Sequence, residues 1–284
     1  MSDNQQNDKY LERLAIVNKI KEYERLGGDY FFIDVEADPP TKTLLPEDVD
    51  YLKVKFSTKI KTAIAVFLGN RFNKTFKEKF NVKVEGAENF KKVDGGAIIT
   101  SNHFSQFENI CVYNAVLESK VNKRLNFVIR EGNYNMPGSV GYMLKYYYTL
   151  PLSSNIHTMR NFNSAFTELL NRGQYILVYP EQSMWWNYRK PKPFKRGAFL
   201  YAVKNNVPVI PCFTTLTTVD GVDEFGFPNQ NYTIHVMPPI YPNSKLTERE
   251  NVEDMLEQNF SLVKAKYEEV YKIPLAYDGG NFIV

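Results

Sequence analysis

At 284 residues, 43% of them hydrophobic, the chain is long enough to bury a full core as one decorated domain or two small ones, which excludes a disordered protein. Cys111 and Cys212 stand far apart and the three histidines include no i, i+4 pair, so neither a disulfide framework nor a metal site is expected. The net charge of +3 is unevenly spread: Lys53 to Lys83 holds nine basic residues against one acid, which leaves −5 for the rest.

Met1 to Lys9 is polar, without the apolar stretch of a secretory signal, and predicts a protein that stays in the cytoplasm. Leu11, Leu14, Val17, Ile20 and Tyr23 follow helical spacing, predicting a first helix from about Lys9 to Leu26 that stops at Gly27-Gly28. Asp29 to Asp50, with Pro39-Pro40 and Pro46, reads as an irregular connection. In the basic stretch Ile60, Ile64, Phe67, Leu68, Phe72 and Phe76 recur at three- and four-residue steps, predicting a helix with an apolar stripe between lysines. Two readings stay open for it: an interfacial helix on anionic lipid, or a helix packed on the domain with a solvated basic rim. No nucleic-acid-binding motif accompanies the charge, so no nucleic acid partner is expected. The longest apolar run, Ala63 to Leu68, falls far short of the roughly 20 residues of a membrane span. Membrane contact is therefore expected to be peripheral, at the inner face of the cell membrane.

Beyond the basic helix, short apolar runs (97–100, 125–129, 175–179, 207–213) alternate with helical segments (106–118, 136–146, 156–171, 194–205). This pattern predicts an α/β fold, a mainly parallel central sheet flanked by helices. A late strand over 232–237 and a charged terminal helix over 247–271 complete the chain. The division expected is an N-terminal helical, basic region for membrane docking (1–80) and a catalytic domain (81–284).

In parallel sheets functional loops gather at the carboxyl ends of strands. His103 follows the run 97–100, after Ser101-Asn102, and Glu108 lies five positions on. The pair suits a general base and its orienting carboxylate. Tyr179-Pro180-Glu181-Gln182-Ser183 ends a second run, and Lys195-Arg196-Gly197-Ala198 and Val207 to Pro211 follow. Singly these are weak signals. In this order and at these distances they resemble the glycerolipid (lysophospholipid) acyltransferase family, over about Lys83 to Pro239.

That resemblance implies transfer of a fatty acyl group from acyl-CoA or acyl carrier protein to the hydroxyl of a lysophospholipid of the 1-acylglycerol-3-phosphate type. It implies no cofactor beyond the acyl donor as co-substrate, and no enzyme nucleophile, because the acceptor hydroxyl itself attacks. His103 is carried over as the base and Glu108 as its orienter, glutamate standing where the family usually has aspartate. Asn102, Arg130, Glu181, Gln182, Ser183, Lys195, Arg196 and Gly197 are carried over as substrate-binding residues, Arg130 in place of a phosphate-contacting lysine. Met184 stands where the family has a phosphate-contacting arginine, and Ser153 ends a block that normally closes on another. These departures bring a glycolipid or other lipid alcohol into view as acceptor, and a noncatalytic lipid-binding protein of the same fold as the alternative. The basic set Arg189, Lys190, Lys192, Lys195 and Arg196 could compensate for the missing phosphate ligands, though a surface charge run is the more common explanation for such residues. Trp185 and Trp186 are candidates for an acyl pocket, a sugar stack or a membrane-interface anchor. An esterase is disfavoured, since no Gly-x-Ser-x-Gly elbow occurs.

Overall fold

The computed structural model describes residues 3–37 and 41–279. Met1, Ser2 and the Pro39-Pro40 pair of the expected irregular connection lie outside the described residues. In chain order the elements are α1 (Asp3–Leu26), α2 (Phe56–Lys79), β1 (Lys83–Glu85), β2 (Ala97–Thr100), α3 (Asn109–Ser119), β3 (Leu125–Ile129), α4 (Glu131–Tyr134) and α5 (Gly138–Tyr146). There follow β4 (Thr149–Pro151), α6 (Ile156–Asn171), β5 (Tyr175–Val178), α7 (Gly197–Lys204), β6 (Val209–Val222), β7 (Pro228–Val236) and α8 (Glu248–Tyr271).

The strands form one sheet in the order β1-β7-β6-β2-β5-β3-β4, and every neighbouring pair is parallel except the β6–β7 hairpin. β2 and β5 read as unbroken apolar runs because both faces of the sheet are covered. Ala97, Ile99, Tyr175 and Leu177 pack with Cys111, Val112, Ala115 and Val116 of α3. On the opposite face Ile98, Ile176 and Val209 meet Phe162, Phe166 and Leu169 of α6, Phe199 of α7 and Met255 of α8. Thr247 caps α8 through a reciprocal bond with Glu250, and Asn155 caps α6.

Two expectations need correction. The run near 207–213 is the start of a strand that extends to Val222, because its distal half is polar and pairs only with β7. The helix expected from 106 begins at Asn109, so Glu108 lies at the N-cap of α3 and not inside it. β1 and β4 went unread, each being three residues long with too little pattern.

α2 is packed with its small side inward. Thr62 and Ala65 are buried, Gly69 lies where a Cβ would meet the Tyr147 ring at 2.6 Å, Asn73 bonds Asn114, and Phe76 stacks on Phe107. Most of the apolar stripe faces outward, with Phe56 79% and Phe67 63% exposed and Ile60, Ile64 and Phe72 exposed beside them, while Phe76 turns inward.

Candidate active site

The register of the sheet places the candidate residues. Thr100 pairs with Val178 and Phe127 with Leu177, so three residues further on His103 comes level with Glu181 and Arg130 with Pro180. All three follow the carboxyl ends of the adjacent strands β2, β5 and β3.

The imidazole of His103 is held on three sides. Its Nδ1 lies 2.6 Å from Glu108 Oε1, its ring stacks on Tyr179 at 4.4 Å between centroids, and its backbone N–H donates to Glu181 Oε2 at 3.0 Å. Glu108 is buried, and its second oxygen accepts the amides of Phe104 and Ser105, closing the loop on itself. An ionised carboxylate only accepts, so Nδ1 carries the proton and Nε2 presents its lone pair. The glutamate's extra methylene lets one carboxylate serve both the ring and two amides behind it. Burial first, and then Glu108, push the Tyr179 hydroxyl well above its ordinary range, so it stays protonated beneath the imidazole. The His103 side chain is 23% exposed, enough for a substrate to reach.

Glu181 is buried with both oxygens engaged. Oε2 accepts the His103 amide, and Oε1 accepts the Lys192 N–H at 3.0 Å. The Lys192 ammonium, wholly buried, lies 3.9 Å from Glu181, 2.6 Å from Ser183 Oγ, and over the Trp185 ring at 4.8 Å. Burial pushes the Glu181 carboxyl up, opposed by Lys192 and the two amides; burial lowers Lys192 to about 8 against the pull of Glu181. This ion pair ties the loops after β2 and β5 to the segment before α7.

Several readings of the 182–196 segment change. Lys190 and Lys192 are not members of a surface run: Lys190 is buried 2.6 Å from Glu24 of α1, and Lys192 lies behind His103. Trp185 is fully buried, its Nε1–H bonded to Ile33 O and its ring stacked on Phe31, so it is core and neither an acyl-pocket wall nor a membrane anchor. Trp186 is half-buried against Phe225, Phe227 and Arg13. No spacing rule marks Lys192, because its carboxylate partner becomes a neighbour only when two strand ends meet.

The remaining candidates divide into those held by the protein and those near the opening. Asn102 bonds both the N–H and the carbonyl of Thr214, and the Ser183 hydroxyl bonds Phe31 O, so both brace the loops instead of facing a substrate. Gln182 is exposed in a left-handed conformation, φ 63°, which is why glycine suits that position in the resembled family. Arg130 lies 2.5 Å from Asp34, Lys195 lies 3.5 Å from Asp29, and Arg196 is drawn to Glu253 of α8 at 3.1 Å. Gly197 opens α7. His235 has a carboxylate partner, Glu85 on the neighbouring strand at 2.9 Å, and its Nε2 lies 3.0 Å from Thr215. Among the described residues no cluster of histidine, cysteine and carboxylate side chains has the makings of a metal site.

A histidine paired with a buried carboxylate at the carboxyl edge of a parallel α/β sheet is an arrangement that general-base chemistry uses. Residues 81–215 match the family model described as Acyltransferase. The chloroplastic 1-acyl-sn-glycerol-3-phosphate acyltransferase LPAT1 of Arabidopsis thaliana is 26% identical over 133 residues, 46% of this chain. The match spans about a third of that relative, 35% of its length. The fold is similar to the crystal structure of the 1-acyl-sn-glycerophosphate acyltransferase PlsC of Thermotoga maritima: TM-score 0.51, 21% identity, 80% of this chain and 87% of that one.

Proposed function

We propose that the protein is an O-acyltransferase that moves a fatty acyl group from a thioester donor, acyl-CoA or acyl carrier protein, to the free hydroxyl of a lysolipid. The observation that carries this reading is the Nδ1 contact of His103 with buried Glu108, which leaves Nε2 as the proton acceptor. As the acceptor oxygen bonds to the thioester carbonyl carbon, its proton passes to Nε2 and Glu108 stabilises the imidazolium. Collapse of the tetrahedral adduct breaks the C–S bond, and the imidazolium returns the proton to the leaving thiolate. No group beyond the donor is needed. The names of the relatives point to 1-acylglycerol-3-phosphate as acceptor and to phospholipid synthesis. Met184 and the Asp34-paired Arg130 favour a second acceptor class, a glycolipid or other lipid alcohol. The test offers purified protein a panel of lysolipids with each donor and identifies products by mass spectrometry. Acylation of none of them would leave the noncatalytic lipid-binding reading.

In this reading residues 1–80 form a docking region and 81–284 the acyltransferase domain, and the protein works peripherally at the inner face of the membrane. No helix of the described residues is long and apolar enough to cross one. The outward stripe of Phe56, Ile60, Ile64, Phe67 and Phe72, rimmed by lysines, supports docking through α2. Each lysine near an anionic surface contributes about 1 kcal/mol, screened over a Debye length of about 8 Å. The protein is expected to co-sediment with phosphatidylglycerol vesicles more than with phosphatidylcholine vesicles, less so in high salt. Changing Lys59, Lys61 and Lys74 together to glutamate should weaken the binding sharply; sedimentation like wild type would move the docking surface elsewhere.

A further inference from the structure

The cations in and beside the candidate site are already engaged by the protein. Of the six cations in or beside it, five have a carboxylate partner: Arg130 with Asp34 at 2.5 Å, Lys190 with Glu24 at 2.6 Å, Lys192 with Glu181 at 3.9 Å, Lys195 with Asp29 at 3.5 Å and Arg196 with Glu253 at 3.1 Å. The sixth, Arg189, is taken up by Thr218 and Gln230. Lys190 and Lys192 are buried and Arg196 is drawn toward α8, whereas Arg130 and Lys195 keep 46% and 41% of their side chains exposed. Both are countered from one segment, the stretch 28–37 that follows α1.

This segment is built into the site. Ser183 Oγ donates to Phe31 O at 2.7 Å, Trp185 Nε1 to Ile33 O at 3.0 Å, and the Met184 N–H to Asp34 Oδ1 at 2.8 Å. Trp185 N–H in turn donates to His103 O at 3.1 Å. Asp34 is thus held by the Met184 amide, one residue before the Trp185 amide that bonds the His103 carbonyl, and its other oxygen holds Arg130. Neither side chain is closed off: Asp34 is 18% and Arg130 46% exposed.

We propose that Asp34 determines head-group choice, acting as an internal anion that takes the amide and the guanidinium a phosphate would use, so that the preferred acceptor is a lysolipid with an uncharged, hydroxyl-bearing head group. A phosphomonoester would have to take both donors from a carboxylate fixed in place, and would lie against its charge. Head-group hydroxyls instead donate to Asp34 Oδ2 and accept from Arg130, leaving the ion pair intact. The inference rests on the acyl-transfer reading and names the substrate class for it.

The test is an equimolar competition between 1-acylglycerol-3-phosphate and a monoacyl glycosylglycerol of the same chain length, with acyl-CoA and with acyl carrier protein as donors, products counted by mass spectrometry. Wild type should favour the glycosyl acceptor by about tenfold, Asp34→Asn should shift the ratio toward phosphate by about tenfold, and Asp34→Asn with Arg130→Gln should lose that shift. Preference of wild type for the phosphate, or an unaltered ratio in a folded Asp34→Asn variant that still transfers, overturns the proposal while acyl transfer stands. Transfer to neither acceptor removes the enzymatic reading and this inference with it. If Asp34→Asn does not fold, Arg130→Gln alone reads the same subsite: the glycosyl acceptor's KM should rise several-fold with the donor's unchanged, and an unchanged acceptor KM overturns the assignment.

Discussion

His103→Ala is expected to lower kcat by about 10²–10⁴-fold, the range for losing a general base. Binding of the donor should change little, since the imidazole meets the acceptor hydroxyl. Glu108→Gln should also impair turnover, for a reason visible in its hydrogen bonds. One oxygen serves Nδ1–H and the other serves the Phe104 and Ser105 amides, so whichever position the new NH2 takes, it faces a donor. Steady-state rates on an acceptor that wild type acylates, together with donor binding by calorimetry, check both. Folded variants of the two residues with near wild-type rates would end the general-base mechanism.

Lys192→Met should be the most damaging substitution for stability. Removing one member of a buried ion pair strands the other, a loss of about 3–5 kcal/mol, which at this chain length lowers the unfolding midpoint by roughly 6–20 °C. The damage should reach catalysis too, because Glu181, left without its cation, also holds the His103 backbone. Combining Lys192→Met with Glu181→Gln should cost less than the two separately, as expected of directly coupled partners. Burial lowers Lys192 to about 8 in the folded protein from the ordinary 10.5. Between those values the unfolded chain binds the proton more tightly, so this group's contribution to stability rises with pH across that window and is smallest below it. Thermal unfolding of the single and double variants from pH 7 to 10 is the measurement. A midpoint for Lys192→Met close to that of wild type would show the ammonium to be dispensable.

Much of the core architecture is legible before folding because its signals are local. Ile156 to Asn171 carries its apolar spacing and its Asn155 cap within one segment, and the structure places α6 over that span. α8 begins one residue past its expected start for the same reason, with the Thr247 and Glu250 pair within one turn. The apolar runs at 97–100 and 125–129 match β2 and β3 because strands buried on both faces need no alternation to be seen. Strands of three residues offer no such pattern, and the long β6–β7 hairpin draws its length from partner hydrogen bonds more than from hydrophobicity.

In the site, His103 and Glu108 stand five positions apart on one loop, so their pairing could be inferred from the chain alone. The candidate roles of Arg130, Glu181 and the basic 189–196 segment could not, because their partners are remote in sequence: Asp34 lies 96 positions from Arg130, and Glu24 lies 166 from Lys190. Whether a lysine is a solvated surface charge or a buried ion depends on what the strand ends bring against it. The same holds for α2, whose stripe and lysines are evident in its composition but whose outward orientation is decided by Gly69 fitting under Tyr147 and Asn73 reaching Asn114. Periodicity, caps and the spacing of the histidine and glutamate were determined by the sequence itself, since neighbours along the chain remain neighbours in the fold. Charge pairing and burial were decided only by the tertiary structure, since a carboxylate lowers the cost of burying a cation only when folding sets the two within a few ångströms.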